Sequence, residues 1–211
     1  MKTYSYVIHS QELQTRGIDA LVTARARRNA RYPLIELKTV ISEANYMDIY
    51  GLFQMAQKMR ADIFNIMVLS MLPHTNQLGG GGHASILQSP PMVTGVEPKE
   101  LREQLRKIAK EAPLGGIQVR TTPQGISFDT IVDYYANAPQ AFADCRCYYP
   151  WYGSGITAFG DVSICPYVML GNITKSSLPE LLNHESARLF RTSLKRRRSF
   201  PGCRGCCMLV P

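Results

Sequence analysis

Two apolar stretches, Leu34-Ile35-Glu36-Leu37-Lys38-Thr39-Val40-Ile41 and Ile63-Phe64-Asn65-Ile66-Met67-Val68-Leu69, flank a segment that reads differently. Both are rich in β-branched residues, as strands are. Between them, Tyr46 to about Met59 carries Ile49, Leu52, Phe53 and Ala56 at helical core spacing, with Ser42 and Asn45 placed to cap the helix. Strand, helix and strand joined by short connections, with near-continuous apolar strands, is the pattern of parallel β/α units. In such sheets ligands gather at the C-terminal strand ends. That rule places Ser42, Glu43 and Asn45 after the first strand, and Ser70 and His74 after the second, on the binding rim; Asn45 and Ser70 are the candidate cofactor-binding residues.

Toward the N-terminus, Tyr4 to Ile8 alternates like a short strand. Gly17 to Arg28 reads as a helix with Ile18, Leu21 and Val22 on one side, and Pro33 is expected to end it. Toward the C-terminus, Pro73 to Pro91 is rich in Gly, Ser, Pro, His and Gln, including Gly79-Gly80-Gly81-Gly82-His83, and reads as a long loop. Phosphate cradling is a weak use for it, because no Lys-Ser/Thr pair comes after the glycines. His74 and His83 read as solvated loop histidines. Glu97 to Glu111 is an expected amphipathic helix, with Pro98 in its first turn and Leu101, Leu105 and Ile108 on one face. Ile117 to Arg120 and Ile126 to Val132 read as short strand or mixed segments. The expected domains are therefore residues 1–140, a β/α region, and 141–211, a small cysteine-rich α+β region.

All six cysteines, at 145, 147, 165, 203, 206 and 207, fall in the last third of the chain. Such crowding marks a site, and in a reducing compartment clustered cysteines are read as metal ligands before disulfides. Twelve residues, Gly160 and four more separate Cys147 from Cys165; thirty-seven separate Cys165 from Cys203. Ile156 to Ile164 reads as two short strands meeting at Gly160, which supplies the positive φ of a tight turn and brings Cys165 back toward Cys147. Cys203-Arg204-Gly205-Cys206 comes directly after Pro201-Gly202, a turn that presents two thiolates to one metal. Leu178 to Asn183 and Ser186 to Arg196 read as helices returning the chain between the pairs. Two pairs close a tetrathiolate site, and spacing alone allows zinc or an iron–sulfur cluster.

The strings Cys147-Tyr148-Tyr149-Pro150-Trp151, Phe159-Gly160-Asp161-Val162-Ser163-Ile164-Cys165-Pro166, Leu170-Gly171-Asn172-Ile173, Ser177-Leu178-Pro179-Glu180-Leu181-Leu182-Asn183 and Pro201-Gly202-Cys203-Arg204-Gly205-Cys206 occur in that order. In this order they resemble the SPASM-type auxiliary-cluster extension of radical S-adenosylmethionine enzymes. From about Ala20 to Ser70 the chain is more loosely similar to the later barrel strands of that family, so the expected fold is α/β, a partial (β/α) barrel segment and then the cluster domain. The resemblance implies one auxiliary 4Fe–4S cluster on Cys147, Cys165, Cys203 and Cys206. The fuller family pattern has further cysteines for a second cluster, and this sequence lacks them. Cys207 is a spare able to replace Cys206, and Cys145 is an open-site ligand or a buried thiol. The family's Cys-x-x-x-Cys-x-x-Cys motif, which binds and cleaves S-adenosylmethionine, is missing: no cysteine precedes Cys145. The expectation is a fragment, a degenerate homologue, or a subunit to which a separate polypeptide supplies the radical-generating half and thereby the S-adenosylmethionine. The implied substrate is a peptide, a protein or a small molecule.

The 211 residues, 45% hydrophobic, suffice for a real core. No apolar run approaches the length that spans a bilayer, and the first residues lack the apolar core of a signal peptide, so no membrane association and a cytoplasmic location are expected. The net charge of +8 comes mainly from Arg25, Arg27, Arg28 and Arg31, and from Arg188, Arg191, Lys195, Arg196, Arg197 and Arg198. Neither run is interleaved with stacking aromatics, which disfavours nucleic acid. The competing reading is a zinc-stabilised basic module contacting nucleic acid. A cysteine-nucleophile enzyme is poorly supported, because no histidine is placed beside a lone cysteine.

Overall fold

Strands β1 (Glu36–Val40) and β2 (Ile63–Met67) pair in parallel with Glu36 opposite Ile63 and Val40 opposite Met67, as the apolar stretches require. The computed structural model describes residues 2–70, 86–87 and 95–211, residues 2–14 as backbone only. Strand β3 (Gln118–Thr122) completes a three-stranded sheet in the order β1-β2-β3, its Gln118 N–H donating to the Asp62 carbonyl at 2.9 Å. The chain divides into two compact units, residues 1–67 with 99–120, and residues 68–98 with 121–211.

In the first unit, helix α2 (Ile49–Lys58), preceded by a 3-10 turn at Tyr46–Asp48, connects β1 to β2 and buries Ile49, Phe53 and Ala56. Phe53 packs edge-on against Phe64 of β2, ring centroids 5.7 Å apart. Helix α3 (Pro98–Glu111) buries Leu101, Leu105 and Ile108, the stripe expected from its spacing. Helix α1 (Lys2–Arg27) is tied to the sheet through Arg25, which meets the Asp62 carboxylate at 2.5 Å; the same carboxylate accepts the Ile35 N–H at 2.7 Å. Burial pushes the Asp62 carboxyl up, and its contacts with Arg25 and Ile35 outweigh this and hold it below the usual carboxylate range.

Four local expectations are corrected. Tyr4 to Ile8 lies inside α1, since no breaker separates it from the helical stretch up to Arg27 and Gly17 is tolerated within that stretch. The helix stops at Arg27, ahead of Pro33, where Asn29 takes a left-handed φ of 46°. Ile126 to Val132 is not a strand: Ser127 accepts the Thr130 N–H at 3.0 Å and starts helix α4 (Phe128–Tyr135). Asn45 precedes the 3-10 turn without capping it by its side chain, and instead braces the loop after β1. The Gly-rich loop with His74 and His83 lies outside the described residues.

The second unit contains α4 and a run of short elements. These are β4 (Arg146–Cys147), α5 (Tyr149–Tyr152), β5 (Gly155–Ile156), β6 (Asp161–Cys165), β7 (Val168–Asn172), α6 (Leu178–Asn183), α7 (Glu185–Arg197) and β8 (Leu209–Val210). β5, β6 and β7 form an antiparallel sheet, and Gly160 at the β5–β6 turn has the anticipated positive φ of 84°. Asn172 fastens this sheet: its amide donates to the Phe159 carbonyl at 2.8 Å and to Asp161 at 2.9 Å. Ser177 and Glu180 form a reciprocal capping box that starts α6. No described helix is long and apolar enough to cross a membrane.

Candidate iron–sulfur site

Three local structures bring four cysteines to one place. β4 pairs antiparallel with β8, Cys147 opposite Leu209, and the Cys147 N–H donates to the Arg198 carbonyl at 3.0 Å, so Cys147 is held against the end of the chain. β6 ends on Cys165, and the turn Pro166-Tyr167 returns the chain so that Cys165 faces Val168. The last pair sits on a 3-10 turn at Pro201–Cys203, with the Cys206 N–H donating to the Cys203 carbonyl at 2.9 Å. Gly202 in that turn has no substitute, because a Cβ would lie 2.8 Å from the Ile86 backbone.

Cys147, Cys165, Cys203 and Cys206 line one small cavity, walled by apolar groups that include Pro150, Phe190, Leu194 and Leu209, and no charged side chain lines it. Cys145 and Cys207 do not line it: Cys145 is buried elsewhere and Cys207 is exposed. The four sulfurs share a second feature. One of them is held by the backbone directly, the Phe200 N–H donating to Cys203 Sγ at 3.5 Å, and the backbone at Tyr149, Tyr167 and Met208 favours the anionic form of Cys147, Cys165 and Cys206. Hydrogen bonds of this kind hold a sulfur in place and favour its anionic form.

Burial pushes the thiols up: Cys165 to about 12, Cys203 to about 11, and Cys147 also above its ordinary value, each against the pull of its backbone donor. Cys206 is raised by a hydrogen bond shared with Cys207 and by burial. Metal-free, the pocket therefore holds neutral thiols, and a metal must displace their protons on binding. Among the described residues no group of three or more His, Cys, Asp or Glu side chains converges to hold a single metal ion.

Residues 145–207 match the SPASM family, an iron-sulfur cluster-binding domain. The segment that builds this cavity is thus an iron–sulfur cluster-binding segment. No curated protein matches the chain. The matched SPASM segment includes both spare cysteines as well as the four that line the cavity.

The other two candidates lie elsewhere. The Asn45 amide donates to the Val40 carbonyl at 2.9 Å and its oxygen accepts the Ser42 N–H at 2.9 Å, so it braces the loop after β1. The Ser70 hydroxyl, in the second unit, is buried without a hydrogen-bond partner among the described residues. Sequence reading passed over several residues that shape the SPASM segment. Arg191, counted with the basic run, turns inward to donate to the carbonyls of Pro150 (2.7 Å) and Leu182 (2.6 Å). Arg204 donates to the Ala138 carbonyl at 2.9 Å and lies over the Tyr134 ring. Phe190 and Leu194 carried a signal, an i, i+4 apolar pair in an otherwise cationic helix; the Phe200 N–H···S bond to Cys203 carried none, its donor being backbone.

Proposed function

We propose that the SPASM segment holds one 4Fe–4S cluster on Cys147, Cys165, Cys203 and Cys206, and that the chain is an auxiliary-cluster protein related to radical S-adenosylmethionine enzymes. The observation that carries this reading is that Cys147, Cys165, Cys203 and Cys206, and neither spare cysteine, line one apolar pocket within the segment that matches an iron–sulfur cluster-binding domain. When bound, the cluster supplies one-electron transfer or a fixed point for substrate placement. The protein's own part is threefold. Apolar walls keep water from the thiols, the Phe200 N–H orients the Cys203 sulfur, and the β4–β8 pair with the Pro201–Cys203 turn places Cys147, Cys203 and Cys206.

Support for a cluster over zinc comes from the match of residues 145–207 to an iron-sulfur cluster-binding domain, since four cysteines serve either metal.

With all four ligand positions taken by cysteine, no place remains for S-adenosylmethionine, and no cysteine precedes Cys145 to build a second, open site. On this reading these 211 residues by themselves do not cleave that cofactor. The test is 5′-deoxyadenosine formation with dithionite, by the cluster-loaded chain alone and with a partner carrying the three-cysteine motif. No turnover alone is expected; turnover by the chain alone would remove the closed-site reading.

A further inference from the structure

The basic runs carry no stacking aromatics along the chain, yet the fold brings aromatics to one of them. In the second unit an open groove of about 480 Å³ has Arg146, Tyr148, Trp151, Lys195 and Arg198 as its charged and aromatic walls. That volume lies in the range of small-molecule sites, roughly 300–1,000 Å³. The three cations are exposed, and among the described residues none of them enters an ion pair. Lys195 and Arg198 close α7, where cations suit the helix end. Arg146 comes from β4 and has no such reason to join them. Arg198 is held at the groove by its left-handed backbone, φ 68°, and by the bond from the Cys147 N–H to its carbonyl.

Tyr148 and Trp151 stand 50% and 48% exposed. Among the described residues neither ring packs on another aromatic, and neither the phenol nor the indole N–H has a protein partner. Two guanidinium forks and an ammonium suit phosphate oxygens, which the forks grip two at a time. A single carboxylate would answer one of the three cations, whereas a phosphate chain answers all of them. The two ring faces suit a stacked base, as aromatic side chains do where proteins hold single strands. No Asp, Glu, Asn or Gln lines the groove to read a base edge, so little choice among bases is expected.

We infer that this groove binds a nucleotide by its phosphates and its base, either a free nucleoside di- or triphosphate or one unit of a single strand. Arg146, Lys195 and Arg198 take the phosphates, and Trp151 with Tyr148 takes the base. The inference goes beyond the cluster reading and assigns the ligand cysteines no part in holding the nucleotide. S-adenosylmethionine is a built-in control, since it has the base but carries a sulfonium cation and no phosphate.

The experiment titrates the cluster-loaded full chain with ATP, GTP, inorganic triphosphate, S-adenosylmethionine and an adenosine-only RNA oligonucleotide, with visible absorbance recorded to certify the cluster. Calorimetry gives the affinities, and the fluorescence of Trp151, the single tryptophan of the chain, reports stacking. ATP and GTP should quench Trp151, bind within about threefold of each other, and lose about tenfold in affinity between about 20 and 200 mM salt. Inorganic triphosphate should bind about fivefold more weakly or worse, for want of a stacked base, and S-adenosylmethionine not at all. Arg146→Glu with Lys195→Glu weakens ATP binding by about tenfold or more. Trp151→Ala weakens it by about fivefold or more, and Trp151→Phe recovers most of the loss. Lys110→Glu, at an exposed charge in the first unit, changes it less than about twofold. Should the double variant fail to load, Lys195→Glu alone carries that arm. An oligonucleotide bound more than about tenfold tighter than ATP identifies the ligand as a single strand, and weaker binding identifies it as the free nucleotide. No binding of any nucleotide, inorganic triphosphate bound as tightly as ATP, or an equal loss in Lys110→Glu overturns the inference. Protein that never gains visible absorbance overturns the cluster reading instead, and the same titrations on that protein as purified still decide the nucleotide site.

Discussion

The first unit and the SPASM segment are stabilised in opposite ways. In the first unit β1, β2, α2 and α3 bury Ile41, Ile49, Phe53, Phe64, Ile66, Leu101, Leu105 and Ile108 almost completely, and the apolar area removed from water is the main source of stability. In the SPASM segment the strands are two to five residues long, and the middle of the structure is a cavity ringed by thiols. A core of side chains is replaced there by a place for something that is not a side chain. The first unit should therefore stand without metal, and the second should not.

Metal removal should give the largest effect. It should deprotect amides of residues 145–207 and leave β1, α2 and β2 protected, because in comparable four-ligand sites metal binding contributes on the order of 10 kcal/mol to folding. Hydrogen exchange on loaded and metal-free protein measures this, and equal protection in both forms breaks the comparison. Next in size, alanine at Cys147, Cys165, Cys203 or Cys206 should each abolish most cluster loading, whereas Cys145→Ala should retain it. Iron and sulfide assays decide; full iron in Cys206→Ala would identify Cys207 as a substitute ligand.

The converse variant tests the other region. Phe53→Ala, at a fully buried side chain packed on Phe64, should cost about 3–5 kcal/mol of first-unit stability while leaving the iron content unchanged. Loss of iron in this variant would show the two regions to be energetically coupled.

A smaller, signed effect comes from the thiols. Cys165 and Cys203 ionise near 12 and 11 when folded, above the ordinary thiol value of 9.0, so the folded metal-free form holds its protons more tightly than the unfolded chain. Stability of reduced, metal-free protein is thus fully present below pH 9 and declines as pH rises from there toward 11 and 12. Loaded protein should behave oppositely and lose its metal on acidification, since protons then compete for the sulfurs. Denaturant midpoints across pH, with and without metal, give both slopes. Last, Ser177→Ala removes one half of the α6 capping box and should cost about 1 kcal/mol.

Much of this was legible in the sequence where one residue type forces one structure. The alternation of apolar stretches gave β1 and β2, the Leu101-Leu105-Ile108 stripe gave α3, and Gly160 marked its turn. The Cys-x-x-Cys spacing and the hairpin before Cys165 anticipated the gathering of four cysteines around one cavity. The features that were not legible depend on competition between neighbours. Tyr4 to Ile8 alternates like a strand but is carried into a long helix by the residues C-terminal to it, and Ile126 to Val132 has strand-like composition overruled by the cap at Ser127. The inward turn of Arg191 and the Phe200 N–H···S bond to Cys203 depend on where the backbone passes, which residue type alone does not encode.

The central claim, one cluster on four named cysteines, is tested most directly by metal and sulfide analysis of anaerobically purified protein. The account predicts brown protein with about four iron and four sulfide per chain, as a single four-cysteine cluster requires, and near-complete loss of both in Cys165→Ala. Colourless protein with one tightly held zinc per chain would contradict it.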